Sequence, residues 1–219
     1  MYKILYLFWK PVRELLYSFH KARVRKLIKD KAITIISQNC IGGVIYSIVG
    51  EQFLSPTINM FIEDDNFVKL VERLPHYMSI DPIAVDENYI DPINPSIHYP
   101  KIGIDDIELC CLHYKTCQEA IDAWNRRRKR INWNKIIVIA CSWNMHEQGE
   151  LVKRICENDQ YKTICFTYGQ YDVEGCIKLE GKNWHLDDRM IVRPNITDFK
   201  PFSYKRFFED YIFIPDLFS

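Results

Sequence analysis

Short runs of β-branched and apolar residues alternate with helix-like segments along this 219-residue chain, and this alternation constrains its fold most. Residues 32–37 (AITIIS), 134–141 (NKIIVIAC) and 161–168 (YKTICFTY) have the near-continuous apolar character of strands buried on both faces. Helical spacing begins at residue 42 and ends near Gly50, and it returns at residues 116–130. The alternation predicts an α/β protein with three α/β/α layers, in which helices cover both faces of a mixed, mainly parallel sheet.

Weaker patterns fill the intervals between these elements. Residues 55–62 (SPTINMFI) predict a second strand, and the helix that follows is expected to be capped by Asp64. Residues 79–106 contain four prolines and predict a long connection with one or two short strands. A capping box led by Thr116 predicts that the next helix begins at Cys117.

The first 30 residues differ from the rest in charge. Residues 1–30 hold eight Lys and Arg against two Asp and Glu, whereas the whole chain has no formal net charge. Within them, residues 12–29 have the broken apolar stripe of an amphipathic helix with a basic opposite face. Such a helix either lies on an anionic membrane surface or docks on the protein with its basic face in water. We therefore predict a basic N-terminal helix (1–30) and a single α/β domain (31–219).

Composition narrows the classes of protein that this chain can belong to. Zero net charge does not suit a protein that coats nucleic acid, so we predict no nucleic-acid partner. Several of the eight cysteines lie inside apolar runs, where cysteine behaves as a small hydrophobe. This placement favours reduced thiols and a cytoplasmic protein over a secreted disulfide framework, with peripheral membrane contact left open for the N-terminal helix.

The turn SQNCIGG (Ser37–Gly43) joins the first strand to a helix. Backbone N–H groups at a helix N-terminus attract anions, and turns at the carboxyl ends of parallel strands hold ligands. Gly42 and Gly43 would let a phosphate or a sugar approach the backbone, while Ser37 and Asn39 supply a hydroxyl and an amide. The spacing fits neither a dinucleotide-binding fingerprint nor a Walker loop. A plain turn, an anionic or sugar ligand site and a cysteine nucleophile therefore remain open.

Cys40 lies in this turn, just before the predicted helix. A thiolate at a helix N-terminus can act as a nucleophile when a base lies near it. His113, near the end of a strand predicted at residues 106–114 (DIELCCLHY), is the candidate general base. The sequence alone does not bring these two residues together, and packing roles remain the alternative for both.

Cysteine and histidine also cluster at residues 110–117 (CCLHYKTC). On a strand, Cys111 and His113 would share a face while Cys110 points to the other. The sequence has no C-x-x-C pair of the kind that binds zinc. We predict neither a metal site nor another cofactor.

Five consecutive cations, residues 126–130, end the helix that begins near Cys117. Cations complement the helix dipole at this end, and that role is one explanation. Arg127 lies three residues after Trp124 and must neighbour its core-facing side, where a guanidinium suits a phosphate or a carboxylate. Arg130 is a second candidate for the same anionic group.

The chain resembles a bacterial family of unknown function whose members are often labelled exopolysaccharide or capsule biosynthesis proteins, some of them acyl- or glycosyltransferases. The matching pieces are residues 36–46, 54–62, 99–114 and 119–132. The resemblance implies a polysaccharide setting without an established mechanism. Its pattern falls on Ser37, Asn39, Cys40, Gly42, Gly43, Tyr46, Ser55, Pro56, Thr57, His113, Tyr114, Trp124, Arg127, Arg130 and Asn132.

Together these features predict a transferase of surface-polysaccharide assembly that binds a phosphorylated sugar, a nucleotide-sugar or an acyl donor. Its ligand would contact the turn and the arginines, together with Tyr46, Ser55, Thr57, Tyr114 and Asn132, while His113 acts as general base. Two alternatives stay open. One is a non-catalytic carbohydrate- or partner-binding protein of the same pathway, and the other is a hydrolase or acyl carrier that uses Cys40.

Overall fold

The computed structural model describes residues 31–92, 94–141, 149–167 and 171–178, together with six residues between 15 and 26. The chain groups into two compact units. The larger unit comprises residues 32–43 and 53–182, and the smaller one comprises residues 1–31, 44–52 and 183–219. The predicted boundary between an N-terminal helix (1–30) and one domain (31–219) stays a prediction.

Strands and helices alternate along the described residues. The strands are β1 (Thr34–Ser37), β2 (Ile83–Ile90), β3 (His98–Ile104), β4 (Ile107–Cys110), β5 (Ile136–Cys141), β6 (Lys162–Thr167) and β7 (Cys176–Lys178). The helices are α1 (Ile41–Val49), α2 (Asp64–Glu72), α3 (Leu74–Ser79), α4 (Cys117–Arg128) and α5 (Gly149–Cys156).

The first sheet is parallel and has the order β1-β5-β6-β7. Every residue of β1 and β5 is buried, as their unbroken β-branched and apolar sequences require. The second sheet is antiparallel and has the order β2-β3-β4. The predicted α/β class with parallel strands is therefore confirmed, and the antiparallel strands form a sheet of their own.

The predicted strand at 55–62 is wrong. Residues 56–59 form a turn, and only Phe61 pairs with a strand, through a single bridge to Cys110 of β4. Pro56 has no N–H to donate to a ladder, and Asn59 adopts a left-handed backbone conformation (φ 66°). Ile62 N donates to the carbonyl of the residue that follows β1, so residues 53–62 contact both sheets. We call them the linking segment.

The long connection predicted at 79–106 consists largely of two strands, β2 and β3. Pro82 precedes β2, while Pro92 and Pro95 lie in the turn between the strands, where no ladder bond is needed. Pro100 lies inside β3, next to a register shift in its pairing with β2. Proline therefore marked the interruptions of this hairpin, and the apolar residues between the prolines form its strands.

Two helix starts were predicted, with different outcomes. Helix α4 begins at Cys117, as the capping box requires, because Thr116 Oγ1 accepts a hydrogen bond from Glu119 N (3.2 Å). Helix α2 begins at Asp64, but its N-cap is Glu63, which makes no side-chain capping bond. The predicted capping by Asp64 is therefore wrong, and Asp64 Oδ1 instead accepts from a side-chain amide that follows β1.

The core of the larger unit joins both sheets and the helices α2 to α5. Trp124, Phe67 and Tyr77 are among its largest fully buried side chains. The buried residues of α5 belong to the same core.

The six described residues between 15 and 26 are helical, in agreement with the predicted amphipathic helix. Leu15 and Phe19, one turn apart on its apolar stripe, are exposed. The rest of that helix lies outside the described residues, and its membrane-surface and docking alternatives stay predictions. No helix within the described ranges combines the length and apolar character needed to cross a bilayer.

Candidate functional site

The turn after β1 is held by its own polar side chains. Ser37 Oγ donates to the carbonyl of Asn39 (2.8 Å), and Asn39 Oδ1 accepts from Ile41 N (3.1 Å), the first residue of α1. Asn39 Nδ2 reaches across to Cys141 Sγ at the end of β5 (3.4 Å). Cys40 thus lies directly before α1, on a turn that these hydrogen bonds hold in place. The first N–H groups of a helix have no acceptors within the helix.

Gly42 and Gly43 allow α1 to begin close to the linking segment. A Cβ atom on Gly42 would lie 2.5 Å from Ser37 Oγ and 3.1 Å from Ile58 Cδ1. A Cβ atom on Gly43 would lie 3.1 Å from Ile58 Cγ2. Close packing therefore accounts for Gly42, and it accounts less strictly for Gly43, whose Cβ would lie farther from its nearest neighbours.

The structure brings Cys40 and His113 together although 73 residues separate them in sequence. Cys40 Sγ lies 3.1 Å from His113 Nε2, within hydrogen-bond distance. His113 follows β4 in a turn closed by a bond from Tyr114 N to the carbonyl of Cys111 (3.0 Å). Cys40 is half-buried and His113 is exposed. This is the geometry of a nucleophile with an adjacent base, open to an incoming reactant.

Other described cysteines lie in environments that disfavour the thiolate. Burial raises the pKa of Cys110 to about 11 and that of Cys111 to about 12. Burial likewise raises the pKa of Cys117 and of Cys141, the thiol that accepts from Asn39. Cys40 differs from these four residues because it is less buried and has an imidazole as its neighbour.

A second cluster gathers at the backbone carbonyl of Ile58, in the linking segment. Tyr114 Oη and Arg127 Nη1 both donate to this carbonyl, at 3.0 Å each. Arg127 Nη1 also donates to Tyr114 Oη (2.6 Å), and the guanidinium lies over the ring of Phe53 (5.2 Å). Burial raises the pKa of Tyr114, so its hydroxyl stays protonated and can donate.

Arg127 is only 8% exposed, and its contacts make it a tie between α4 and the linking segment. Tyr114, a member of this cluster, directly follows His113 in the chain. The side chain of Ile58, whose carbonyl the cluster surrounds, packs on the glycine pair. Cys40, His113 and the predicted arginine therefore share one neighbourhood. Anion binding by Arg127 stays a prediction.

Arg130 contacts the linking segment as Arg127 does, whereas Asn132 contacts the beginning of β1. Arg130 Nη1 lies 3.4 Å from the carbonyl of Phe53, to which it donates. Asn132 Nδ2 donates to the carbonyl of Ala32 (2.9 Å), and Asn132 N donates to Thr34 Oγ1 (2.9 Å). Asn132 therefore lies at the beginning of β1, whereas Cys40 follows its end, so the structure does not bring these two residues together.

Ser55 and Thr57 are fully buried in the linking segment. Their hydroxyl oxygens lie 3.1 Å apart, and Thr57 Oγ1 accepts from Ser37 N (3.1 Å). They thus hold the beginning of the turn through the backbone N–H of Ser37. Tyr46 is buried within α1 and belongs to the smaller unit.

Sequence reasoning missed Gln38, which is 1% exposed. Its Oε1 accepts from Cys141 N (3.0 Å), its Nε2 donates to Asp64 (2.6 Å), and its carbonyl accepts from Ile62 N (2.9 Å). It thereby fixes the ends of β1 and β5, the linking segment and the start of α2. A polar side chain directly after a buried strand was the available signal, since such a group needs hydrogen-bond partners.

Within the described part of the chain, no group of three or more His, Cys, Asp or Glu residues could hold a metal ion. The arrangement instead offers a thiol, an imidazole and the N-terminus of a helix. These three features suit attack on an acyl carbonyl, because a helix N-terminus favours the negative charge that develops.

Comparison with known proteins adds a family. The chain is 22% identical over 121 residues to an uncharacterized protein of Haemophilus influenzae, a match that covers 55% of each chain. The chain thus spans about half the length of that relative. The sequence model of a family described as a domain of unknown function, DUF1919, matches residues 12–211, which is most of the chain. The protein therefore belongs to the DUF1919 family.

Proposed function

We propose that this protein is a cysteine-dependent acyltransferase of surface-polysaccharide assembly, with Cys40 as nucleophile and His113 as general base. The observation that carries the proposal is the 3.1 Å separation of Cys40 Sγ and His113 Nε2. The polysaccharide setting rests on the sequence resemblance alone. Among the donors predicted from the sequence, the acyl donor is the one that this pair of groups suits best.

The first half-reaction transfers the acyl group to the enzyme. Cys40 Sγ attacks the carbonyl carbon of an acyl thioester or ester, while His113 Nε2 accepts the thiol proton. The bond from the carbonyl to the leaving group breaks, and His113 returns the proton to that group. The product is a thioester on Cys40.

The second half-reaction releases the acyl group to the acceptor. A sugar hydroxyl attacks the Cys40 thioester as His113 Nε2 removes its proton, and the Cys40 thiolate leaves and regains that proton. N–H groups of the first turn of α1, at Gly42 and Gly43, would face the negative oxygen formed in both steps, whereas Ile41 N is held by Asn39 Oδ1. Arg127 and Tyr114 act in this scheme by holding the linking segment under the glycine pair.

The test uses acetyl-coenzyme A as an acyl thioester probe. After brief exposure of the full chain, mass spectrometry of the tryptic peptide 32–69 should find an acetyl group, and Cys40 is the cysteine that this peptide contains. Cys40→Ser should abolish the adduct. His113→Ala should slow its formation by at least about 10²-fold, the usual contribution of a general base.

His98→Ala is the matched control, because His98 is an exposed histidine at the start of β3. It should acylate at the wild-type rate. Iodoacetamide at pH 7 gives a second readout, in which Cys40 should react far faster than the buried cysteines. No acylation together with slow, uniform alkylation would overturn the proposal and favour the non-catalytic binding alternative. Faster loss of the acyl group on addition of a sugar acceptor would separate a transferase from a hydrolase.

A further inference from the structure

A pair of cysteines lies in the larger unit, away in sequence from Cys40. Cys156 is the last residue of α5, and Cys176 is the first residue of β7, the edge strand of the parallel sheet. Their Sγ atoms lie 3.3 Å apart, and both residues are partly exposed. A disulfide bond is about 2.05 Å long, so the two sulfur atoms need to approach by little more than 1 Å.

We propose that Cys156 and Cys176 form a reversible disulfide that is a redox modification site of this protein. The bond would join the end of α5 to the edge of the sheet and close a loop of 20 residues. This inference is independent of the proposed acyl transfer, because neither cysteine belongs to that site.

A third cysteine, Cys165, lies nearby, but we do not expect it to take part in the bond. Cys165 lies on β6, opposite Cys176 in the parallel register, and is fully buried. The close sulfur contact joins Cys156 to Cys176, and both of these have the solvent exposure that an external oxidant needs. Cys165 is therefore expected to remain a thiol when the other two are oxidised.

The chemistry is thiol–disulfide exchange with a small external disulfide, such as oxidised glutathione. The thiolate of one of the two cysteines attacks one sulfur of the external disulfide, whose S–S bond breaks and releases one thiolate. The thiolate of the other cysteine then attacks the protein sulfur of the mixed disulfide and releases the second thiolate. The two protein thiols are oxidised, the external disulfide is reduced to two thiols, and the two protons pass to the released groups.

The surroundings of both thiols disfavour the thiolate form. Burial raises the pKa of Cys176 to about 12. The neighbouring thiol of Cys165, and then burial, also raise the pKa of Cys156. Both thiols react as thiolates, so oxidation should be slow at pH 7 and should quicken as the pH rises.

The experiment oxidises the full chain and locates the bond. Reduced protein is incubated with oxidised glutathione at pH 7 and at pH 9, free thiols are alkylated in denaturant, and the chain is cut with trypsin and a glutamate-specific protease. These cuts place the three cysteines on separate peptides, 155–157, 163–174 and 175–178. We expect peptide 155–157 joined to peptide 175–178, with faster joining at pH 9.

Matched variants test whether the pair is specific. Cys165→Ser should leave the cross-link in place, whereas Cys156→Ser or Cys176→Ser should leave a glutathione mixed disulfide on the remaining partner. Dithiothreitol should restore all thiols. A cross-link to peptide 163–174 in the wild-type protein, or eight alkylated cysteines after prolonged oxidation, would overturn the proposal.

Discussion

Replacing Gly42 by alanine tests how closely α1 packs on the end of β1. The new Cβ would lie 2.5 Å from Ser37 Oγ, so the hydroxyl must move and its bond to the carbonyl of Asn39 is lost. Overpacking costs about 1–3 kcal/mol, and the lost hydrogen bond costs about 1 kcal/mol. Alanine returns about 1 kcal/mol through its higher helix propensity. We expect a net loss of about 2 kcal/mol, or a midpoint of thermal unfolding lower by about 4–8 °C.

Two variants make this prediction specific. Gly43→Ala gains the same helix propensity but meets side-chain atoms at 3.1 and 3.2 Å, so its cost should be within about 1 kcal/mol of zero. In a Ser37→Ala background the closest atom is absent, and Gly42→Ala should cost about 2 kcal/mol less than in the wild type. Thermal unfolding followed by circular dichroism is measured for the wild type, the three single variants and the double variant. An equal cost of Gly42→Ala in both backgrounds would refute the reasoning.

Two further predictions concern other elements of the larger unit. Thr116→Ala should lower the free energy of unfolding, measured by urea titration, by about 1 kcal/mol because the α4 cap is lost. Thr116→Ser keeps the capping hydroxyl and should retain most of that stability, so equal losses in the two variants would contradict the capping role. Hydrogen bonds from Tyr77 and Lys69 lower the pKa of Asp106 from 3.8 to about 2, so its ionised form stabilises the fold above pH 4. That contribution should be lost as the pH falls from about 4 to about 2, and Asp106→Asn should have a flatter acid unfolding curve; parallel curves for the two proteins would contradict this assignment.

The fold was predictable where local patterns and burial agree. The apolar runs of β1 and β5 identified buried parallel strands, and the capping box at Thr116 located the first residue of α4. The strand predicted at 55–62 failed because side-chain hydroxyls and a left-handed residue satisfy the backbone locally there. Its β-branched composition indicated burial correctly but not conformation.

The candidate site was predictable residue by residue but not in its geometry. The turn after the first strand indicated Cys40, and the end of a predicted strand indicated His113. The contact between the two side chains depends on how the linking segment joins the two sheets. Periodicity in the sequence carries no information about such a contact. For Arg127 the sequence predicted the inward position correctly but not the partners. Its hydrogen bonds are to a backbone carbonyl and a tyrosine hydroxyl.

The pairing of β1 with β5 has a consequence for how the chain acquires its structure. Thr34 lies opposite Ile136, so about 100 residues, including the whole antiparallel sheet, separate the two strands in the chain. At about 5–20 residues per second, a ribosome needs roughly 5–20 s to deliver β5 after β1 has emerged. The antiparallel hairpins can form during that delay, whereas β1, and with it the mature surroundings of Cys40, must wait for the second half of the protein.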